Sequence, residues 1–307
     1  LKALLVHKPG PATTVQDAGR HGLRRYGIPA SGALDQFSYR VANALVGNPL
    51  TAAALEITLP GLVVEALMDL VVAITGGDLG GQPQWTSFVL RRGEQLSFPK
   101  RVTGCRAYLA IRGGISAEEF LGSMSTFPKG WMGRALQAGD TMSIAGFRAH
   151  GVAATRSLQV NWRPAFPAQR TVRVTLGAQA EAFTARGRET FQDSVYTISP
   201  RSDRQGFRTD GPPIEFVKGP DIISDPTPLG AIQVPGDGKP IILHRDGQVT
   251  GGYAKIATVA SAELDKFGQM MPGDALRFQV VSREEALTLA AQARRRLNVI
   301  TAFLGGQ

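Results

Sequence analysis

Residues 246–259 read Asp-Gly-Gln-Val-Thr-Gly-Gly-Tyr-Ala-Lys-Ile-Ala-Thr-Val. A polar stretch with a glycine pair runs directly into a β-branched segment, Ile-Ala-Thr-Val, which favours a strand. Glycine pairs permit positive φ and close approach to the backbone. The segment therefore reads either as a Gly-Gly hairpin turn or as a ligand-facing loop whose following strand holds Lys255 in a fixed place. Similar short apolar runs recur along the chain, at residues 3–6, 54–59, 70–75, 107–111, 172–176 and 241–243. Thirty-six glycines and 19 prolines punctuate them, with few long helical periods between. That pattern predicts β-barrels or sandwiches rather than a doubly wound α/β sheet.

A turn signature appears three times, as Gly-Glu at 93–94 and Gly-Asp at 139–140 and 273–274, each followed by an alternating strand. These are either equivalent strands of repeated barrels or one hairpin solution reached independently. Three helices are expected. The first carries Leu34, Phe37, Val41 and Leu45 on one face, with Ser31 as its N-cap, Asp35 in its first turn and Gly47 at its end. A short second one follows Ser261 and turns Leu264 and Phe267 inward. The third starts at a capping box of Ser282 and Glu285, carries Ala286, Ala290, Ala293 and Leu297 on one stripe, and runs into a disordered tail. The expected organisation is a β-rich domain over 1–150 with one helix near 34–46, a barrel over 171–282, and a helix and tail over 283–307. The Arg-, Ala- and Pro-rich stretch 148–170 is the expected connection.

The chain has 307 residues, 43% of them hydrophobic, enough to bury a large core. Its net charge is +9. The excess is scattered, and its densest run, Arg294 to Arg296, lacks interleaved aromatics, so a nucleic-acid partner is not expected. No charged-then-apolar leader and no apolar run of bilayer-spanning length occurs, and the single cysteine, Cys105, lies in an apolar run. A cytoplasmic location without membrane contact is expected. The four histidines (His7, His21, His150, His244) are not paired at ligand spacing, so no metal site is expected. Phosphate-loop, dinucleotide and nucleophile-elbow motifs are missing.

The blocks Thr-Val-Gln-Asp-Ala-Gly-Arg (14–20), Gly-Ile-Pro-Ala-Ser-Gly-Ala-Leu-Asp (27–35), Ala-Asn-Ala-Leu-Val-Gly-Asn (42–48) and Leu-Glu-Ile-Thr (55–58) stand in order. Ser202-Asp203-Arg204 ahead of Gly206, Ile-Gln-Val-Pro (232–235), the opening segment and Pro-Gly-Asp (272–274) follow them. Together they resemble the biotin-dependent carboxyltransferase-like family, which includes allophanate hydrolase subunit 2, the 5-oxoprolinase C subunit and the antagonist of a sporulation kinase inhibitor. The resemblance runs from about Pro11 to Ser282. It implies a mainly β fold of cyclophilin-like β-barrel domains with a few short helices. It also implies a subunit of an ATP-dependent 5-oxoprolinase, a hydrolase that opens a cyclic amide to glutamate and is inactive alone. Its partners would be an A subunit and a B-type subunit resembling allophanate hydrolase subunit 1, with ATP held here or on one of them. The alternatives are the carboxyltransferase subunit of a urea carboxylase and allophanate hydrolase system, or a non-catalytic regulator of a kinase inhibitor. No Met-Lys-Met biotin-attachment site is present, so no covalent biotin is expected on this chain.

Several side chains are candidates for that chemistry. Lysine beside desolvating walls can act as a base or stabilise a developing oxyanion; Lys255 is the expected catalytic group, with Asp246 and Gln248. A small carboxylated amide is expected to meet Gln16, Asp17, Arg20, Ser31, Asp35, Asn43, Glu56, Ser202, Arg204, Gln233, Thr250, Gly251, Gly252 and Tyr253. Arg20 offers a planar fork for a carboxylate, or else belongs to a loop ion pair. Arg201 and Arg204 around Asp203 suit an anion clamp. Asn43, in mid-helix, is either exposed or satisfies a buried backbone group. Glu56 shares a strand face with Ala54 and Thr58, either exposed or as a buried carboxylate lining a pocket. The family's Thr-Gly-Gly-Tyr-Pro-Lys motif has Ala254 in place of proline, which implies a looser entry to the Lys255 strand. The family's Arg-Gln-Thr reads Gly-Gln-Val at 247–249, so an arginine contact there would have to come from Arg245 or elsewhere.

Overall fold

The computed structural model describes residues 1–146 and 155–305. Part of the 148–170 connection and the last two residues of the expected tail lie outside the described residues. The chain divides into two compact units. The first comprises 1–20, 31–166 and 296–307, and the second 21–30 and 167–295. The division at Phe166 and Pro167 falls inside the Arg-, Ala- and Pro-rich stretch. Two segments depart from the expected ranges: 21–30 belongs with the second unit, and the end of the last helix with the first.

In the first unit, strands Gln95–Ser97, Leu62–Ala66, Lys2–Pro9, Thr141–Ile144 and Ile115–Ser116 form one five-stranded sheet in that order. Strands Ala12–Gln16, Ala54–Thr58, Thr103–Ile111, Leu70–Asp78 and Thr86–Leu90 form the other. Strand alternation divides the side chains between two cores. Leu55, Ile57, Leu109 and Ile111 meet Leu4, Val6, Leu62 and Val64 between the sheets. Ala54, Tyr108 and Ala110 point the other way, where helix α1 (Gln36–Val46) packs with Tyr39, Val41 and Leu45. Each such aliphatic side chain, fully buried, contributes about 1.5–3 kcal/mol.

In the second unit, strands Gln169–Leu176, Lys255–Val259, Ala231–Gln233, Ile241–Leu243, Gly206–Asp210, Tyr196–Ile198 and Ala275–Val280 close into a seven-stranded barrel. Val172, Val174, Ile232, Ile242 and Leu276 are fully buried in it. Helix α2 (Ala185–Asp193), absent from the sequence expectations, stacks Phe191 on Phe278 at 4.5 Å. Helix α3 (Leu264–Gly268) buries Leu264 and Phe267 as expected. Helix α4 (Arg283–Gly305) begins with the Glu285 N–H donating to Ser282 Oγ at 3.1 Å, one half of the expected capping box. Its stripe differs from expectation. Ala293 is exposed, and burial is complete only at Ile300 and Leu304.

The three Gly-acid turns share one geometry. Gly93, Gly139 and Gly273 have φ of +83°, +87° and +91°. In each turn the acid's N–H donates to the carbonyl three residues earlier (Arg91, Gln137, Met271), which gives a type II turn. One residue of a neighbouring strand then accepts from the glycine N–H and donates to the acid's carbonyl. That residue is Ala66, Val6 and Ile198 in turn. Two residues opposite one, with a left-handed glycine first, is a G1 bulge. The acid side chain completes the turn by accepting from the N–H of Arg91, Gln137 and Met271.

Candidate active site

Lys255 opens its barrel strand and is only 5% exposed. Its Nζ lies 3.0 Å from Asp225 Oδ2 and has no hydrogen-bond partner beyond that ion pair among the described residues. Asp225 comes from a ribbon of strands Asp221–Pro226 and Thr250–Tyr253, in which it sits opposite Gly251. The hydrogen bond from Lys255 holds the Asp225 carboxyl below the usual carboxylate range. Gln179 Nε2 donates to the same oxygen at 3.2 Å. The Gln179 Oε1 atom is shielded from solvent and has no partner among the described residues. A buried donor and a buried acceptor thus flank one carboxylate oxygen, each with unused capacity.

Gln233 is the cross-strand neighbour of Lys255. Its Nε2 donates to the Tyr253 carbonyl at 3.5 Å, and its Oε1 accepts from Gln248 Nε2 at 3.3 Å. These amides explain Gly251. A Cβ there would lie 2.5 Å from Gln233 Nε2 and 3.0 Å from Gln248 Nε2. The glycine pair is therefore not a hairpin turn. It lies within a strand, and at Gly251 the constraint is space.

Ala254 corrects the expectation of a looser entry to this strand. Its N–H donates to the Pro220 carbonyl at 2.9 Å, a bond that proline could not make. An arginine at 247 would be crowded, since a Cβ at Gly247 would meet the Gln205 and His244 carbonyl oxygens at 2.8 Å.

Asp246, expected beside Lys255, is engaged elsewhere. Arg204 holds it through Nε to Oδ2 at 2.8 Å and Nη2 to Oδ1 at 3.3 Å. The Arg204 half of the expected anion clamp is consumed by this internal pair, which ties the 201–206 turn to the 244–248 turn. Ser202 Oγ closes its own turn, donating to the Arg208 carbonyl and accepting its N–H. Thr250 is exposed, and Tyr253 is 40% exposed.

The remaining candidates lie in the first unit, buried or half-buried and engaged with their own fold. Gln16 donates to Thr14 Oγ1 and the Thr126 carbonyl, both at 3.1 Å. Asp17 accepts from the Gly19 and Met124 N–H groups and the Ser123 and Ser125 hydroxyls. Arg20 donates to the carbonyls of Phe120, Ser123 and Ser125. This trio pins the 120–126 loop instead of presenting a fork to solvent. Ser31 is not the N-cap of α1. It takes a left-handed conformation (φ +53°), and its buried Oγ has no partner among the described residues. Asp35 caps the helix by accepting the Ser38 N–H at 2.9 Å. Asn43 takes the second of its two roles, donating to the Ala52 carbonyl at 2.8 Å. Glu56 is buried, not exposed. It accepts from Tyr108 Oη and the Leu34 N–H, each at 2.8 Å, and lies 3.7 Å from Arg106 Nε.

Sequence reasoning missed Asp225 and Gln179. Asp225 is visible only once a ribbon strand places it opposite Gly251, and Gln179 lies beyond the end of a strand. The one general signal is that a buried lysine requires an anionic partner.

A seven-stranded barrel bearing a buried lysine, in a chain that also forms a two-sheet unit, matches a known domain. The model of the carboxyltransferase domain, subdomain A and B, covers residues 26–280, and the chain belongs to this family. Among individual proteins, it is 36% identical to the 5-oxoprolinase C subunit of Escherichia coli (strain K12) over 294 residues, 92% of this chain and 93% of the relative. The same-named protein of Haemophilus influenzae is 33% identical over 286 residues, covering 90% of each. The solved urea carboxylase of Kluyveromyces lactis superposes with a TM-score of 0.89 at 32% identity, over 98% of this chain and 29% of that one.

Proposed function

We propose that this chain is the C subunit of a cytoplasmic 5-oxoprolinase and that its barrel site binds the substrate amide. The unused donor of Lys255 and unused acceptor of Gln179, both beside Asp225, carry this reading. An amide offers the matching pair: a carbonyl oxygen to accept from the lysine and an N–H to donate to the glutamine. Both atoms are shielded, so the amide enters by displacing the Asp225 carboxylate, which is itself 44% exposed. Once Asp225 is displaced, the lysine charge faces the carbonyl oxygen as it gains negative charge, and electrostatic stabilisation of that kind is a large catalytic contribution. Gln233 and Gln248 position the ribbon, and the Arg204–Asp246 pair braces the turn behind it.

The donor set suits an amide better than a triphosphate. Once Asp225 is displaced, Lys255 offers a single positive charge, and the groups around it, Gln179, Gln233 and Gln248, are neutral amides. We assign ATP to a partner subunit. Exposed apolar side chains suit contact with A and B subunits: Trp131 is 91% exposed in the first unit and Ile223 is 94% exposed in the second. The chain alone is then inactive.

Lys255→Met in the enzyme reconstituted with its neighbouring subunits should lower 5-oxoproline turnover by about a hundredfold, with an unchanged circular dichroism spectrum. Activity within twofold of the wild type would remove Lys255 from the chemistry. Turnover of urea with a carboxybiotin-bearing partner, and none of 5-oxoproline, would move the chain to the urea carboxylase reading, which the K. lactis superposition favours.

A further inference from the structure

A carboxylated substrate needs a cation, and three of the expected ones are engaged. Lys255 faces Asp225, Arg204 is closed on Asp246, and Arg20 donates to three carbonyls. Arg24 is different. It begins the helical turn Arg24–Tyr26, within the segment 21–30 that belongs to the second unit. Its Nη2 donates to the Thr227 carbonyl, while its Nη1 is shielded from solvent and has no partner among the described residues. No carboxylate among them pairs with it. Burial pushes the guanidinium below its usual range, the mark of a charge that has lost water without gaining an anion.

Its position ties it to the Lys255 site. Thr227 is buried; its hydroxyl donates to the Gln248 carbonyl and its N–H to the Val249 carbonyl. Thr227 Cγ2 lies 3.3 Å from the point where a Cβ on Gly251 would sit, and that point is 2.5 Å from Gln233 Nε2. One residue, Thr227, therefore separates the arginine from the wall of the amide site. Arginine is suited to this role because its fork keeps one edge on the protein and offers the other to a carboxylate.

We propose that Arg24 is the carboxylate-binding residue of this site, so that the ligand is a small amide bearing a carboxylate and the carboxylate sets the specificity. The proposal rests on the amide reading of Lys255 and Gln179. In the reconstituted enzyme, 5-oxoproline is compared with 2-pyrrolidinone, the same ring without the carboxylate, as a competing ligand. Arg24→Gln should raise KM for 5-oxoproline about 10- to 100-fold, the range of a lost charged hydrogen bond. It should change kcat little and leave inhibition by 2-pyrrolidinone unaltered. Arg24→Lys, which keeps the charge and the contact to Thr227, should restore part of the discrimination. Equal weakening of both ligands would make Arg24 a structural clamp on Thr227 and overturn the proposal. So would unchanged discrimination, or a rise confined to the KM for ATP. If the wild type turns over no 5-oxoproline and Lys255→Met changes nothing, the amide reading falls and this proposal falls with it. Intact turnover that depends on Lys255 but not on Arg24 sinks the arginine alone.

Discussion

Tyr108 joins three segments of the first unit through one hydroxyl. It donates to Glu56 at 2.8 Å and accepts the Asp35 N–H at 2.9 Å, so the strand, its neighbour and the start of α1 share a single oxygen. Burial, with the Glu56 and Asp35 charges, pushes its phenol well above the usual value and keeps it protonated as a donor. Tyr108→Phe leaves Glu56 with one fewer donor and the Asp35 N–H without its acceptor. Buried groups stripped of partners cost about 1–3 kcal/mol each, so urea unfolding should show a loss of about 1–3 kcal/mol at unchanged m. A loss below about 0.5 kcal/mol would mean that water replaces the hydroxyl.

Among the elements, the repeated turn separates two reasons for glycine. Nothing lies within 4 Å of a Cβ built on Gly139, whereas one on Gly251 would strike an amide. Gly139→Ala therefore meets only the left-handed backbone penalty, about 1–2 kcal/mol, to be read from the denaturant midpoint. A neutral result would mean that the turn can flip to another type. The strands and these turns were legible in the sequence because apolar alternation and Gly-acid pairs are local signals. The cap of α1 was not, because Ser31 and Asp35 are both good caps and only the backbone of Ser31 decides against it. The roles of Asp17, Arg20 and Glu56 were hidden for another reason: their partners at 120–126 and at 34, 106 and 108 are brought to them by the tertiary fold from distant sequence, through loops as well as through sheet pairing. Lys255 stood out because it follows a glycine pair into a strand. Its partner Asp225, thirty positions earlier, carries no such mark.

Across the whole molecule, acid sensitivity is shared between the two units. Asp69 and Asp140 in the first, and Asp210 and Asp225 in the second, are held below the ordinary carboxylate range. The causes are the Arg92 N–H, then hydrogen bonds from Arg134, Lys239 and Lys255 respectively. A depressed folded value means stability that is complete above the unfolded value of about 3.9 and lost as pH falls through the folded one. The Tm should hold nearly level from neutral pH to about 5 and decline below about 4. Scanning calorimetry across that range checks it, and a Tm that rises on acidification would contradict it.

The barrel closes by pairing its first strand, Gln169–Leu176, in parallel with its last, Ala275–Val280, Gln169 lying opposite Ala275. On a ribosome this imposes an order in time. At a synthesis rate of about 5–20 residues per second, the first strand waits roughly 5–20 s before its partner exists. Its other neighbour, Lys255–Val259, also comes late, so for most of that time both its edges are open, a template for any passing strand. A chain of this topology must therefore be shielded before it is finished, along a strand that the completed fold hides.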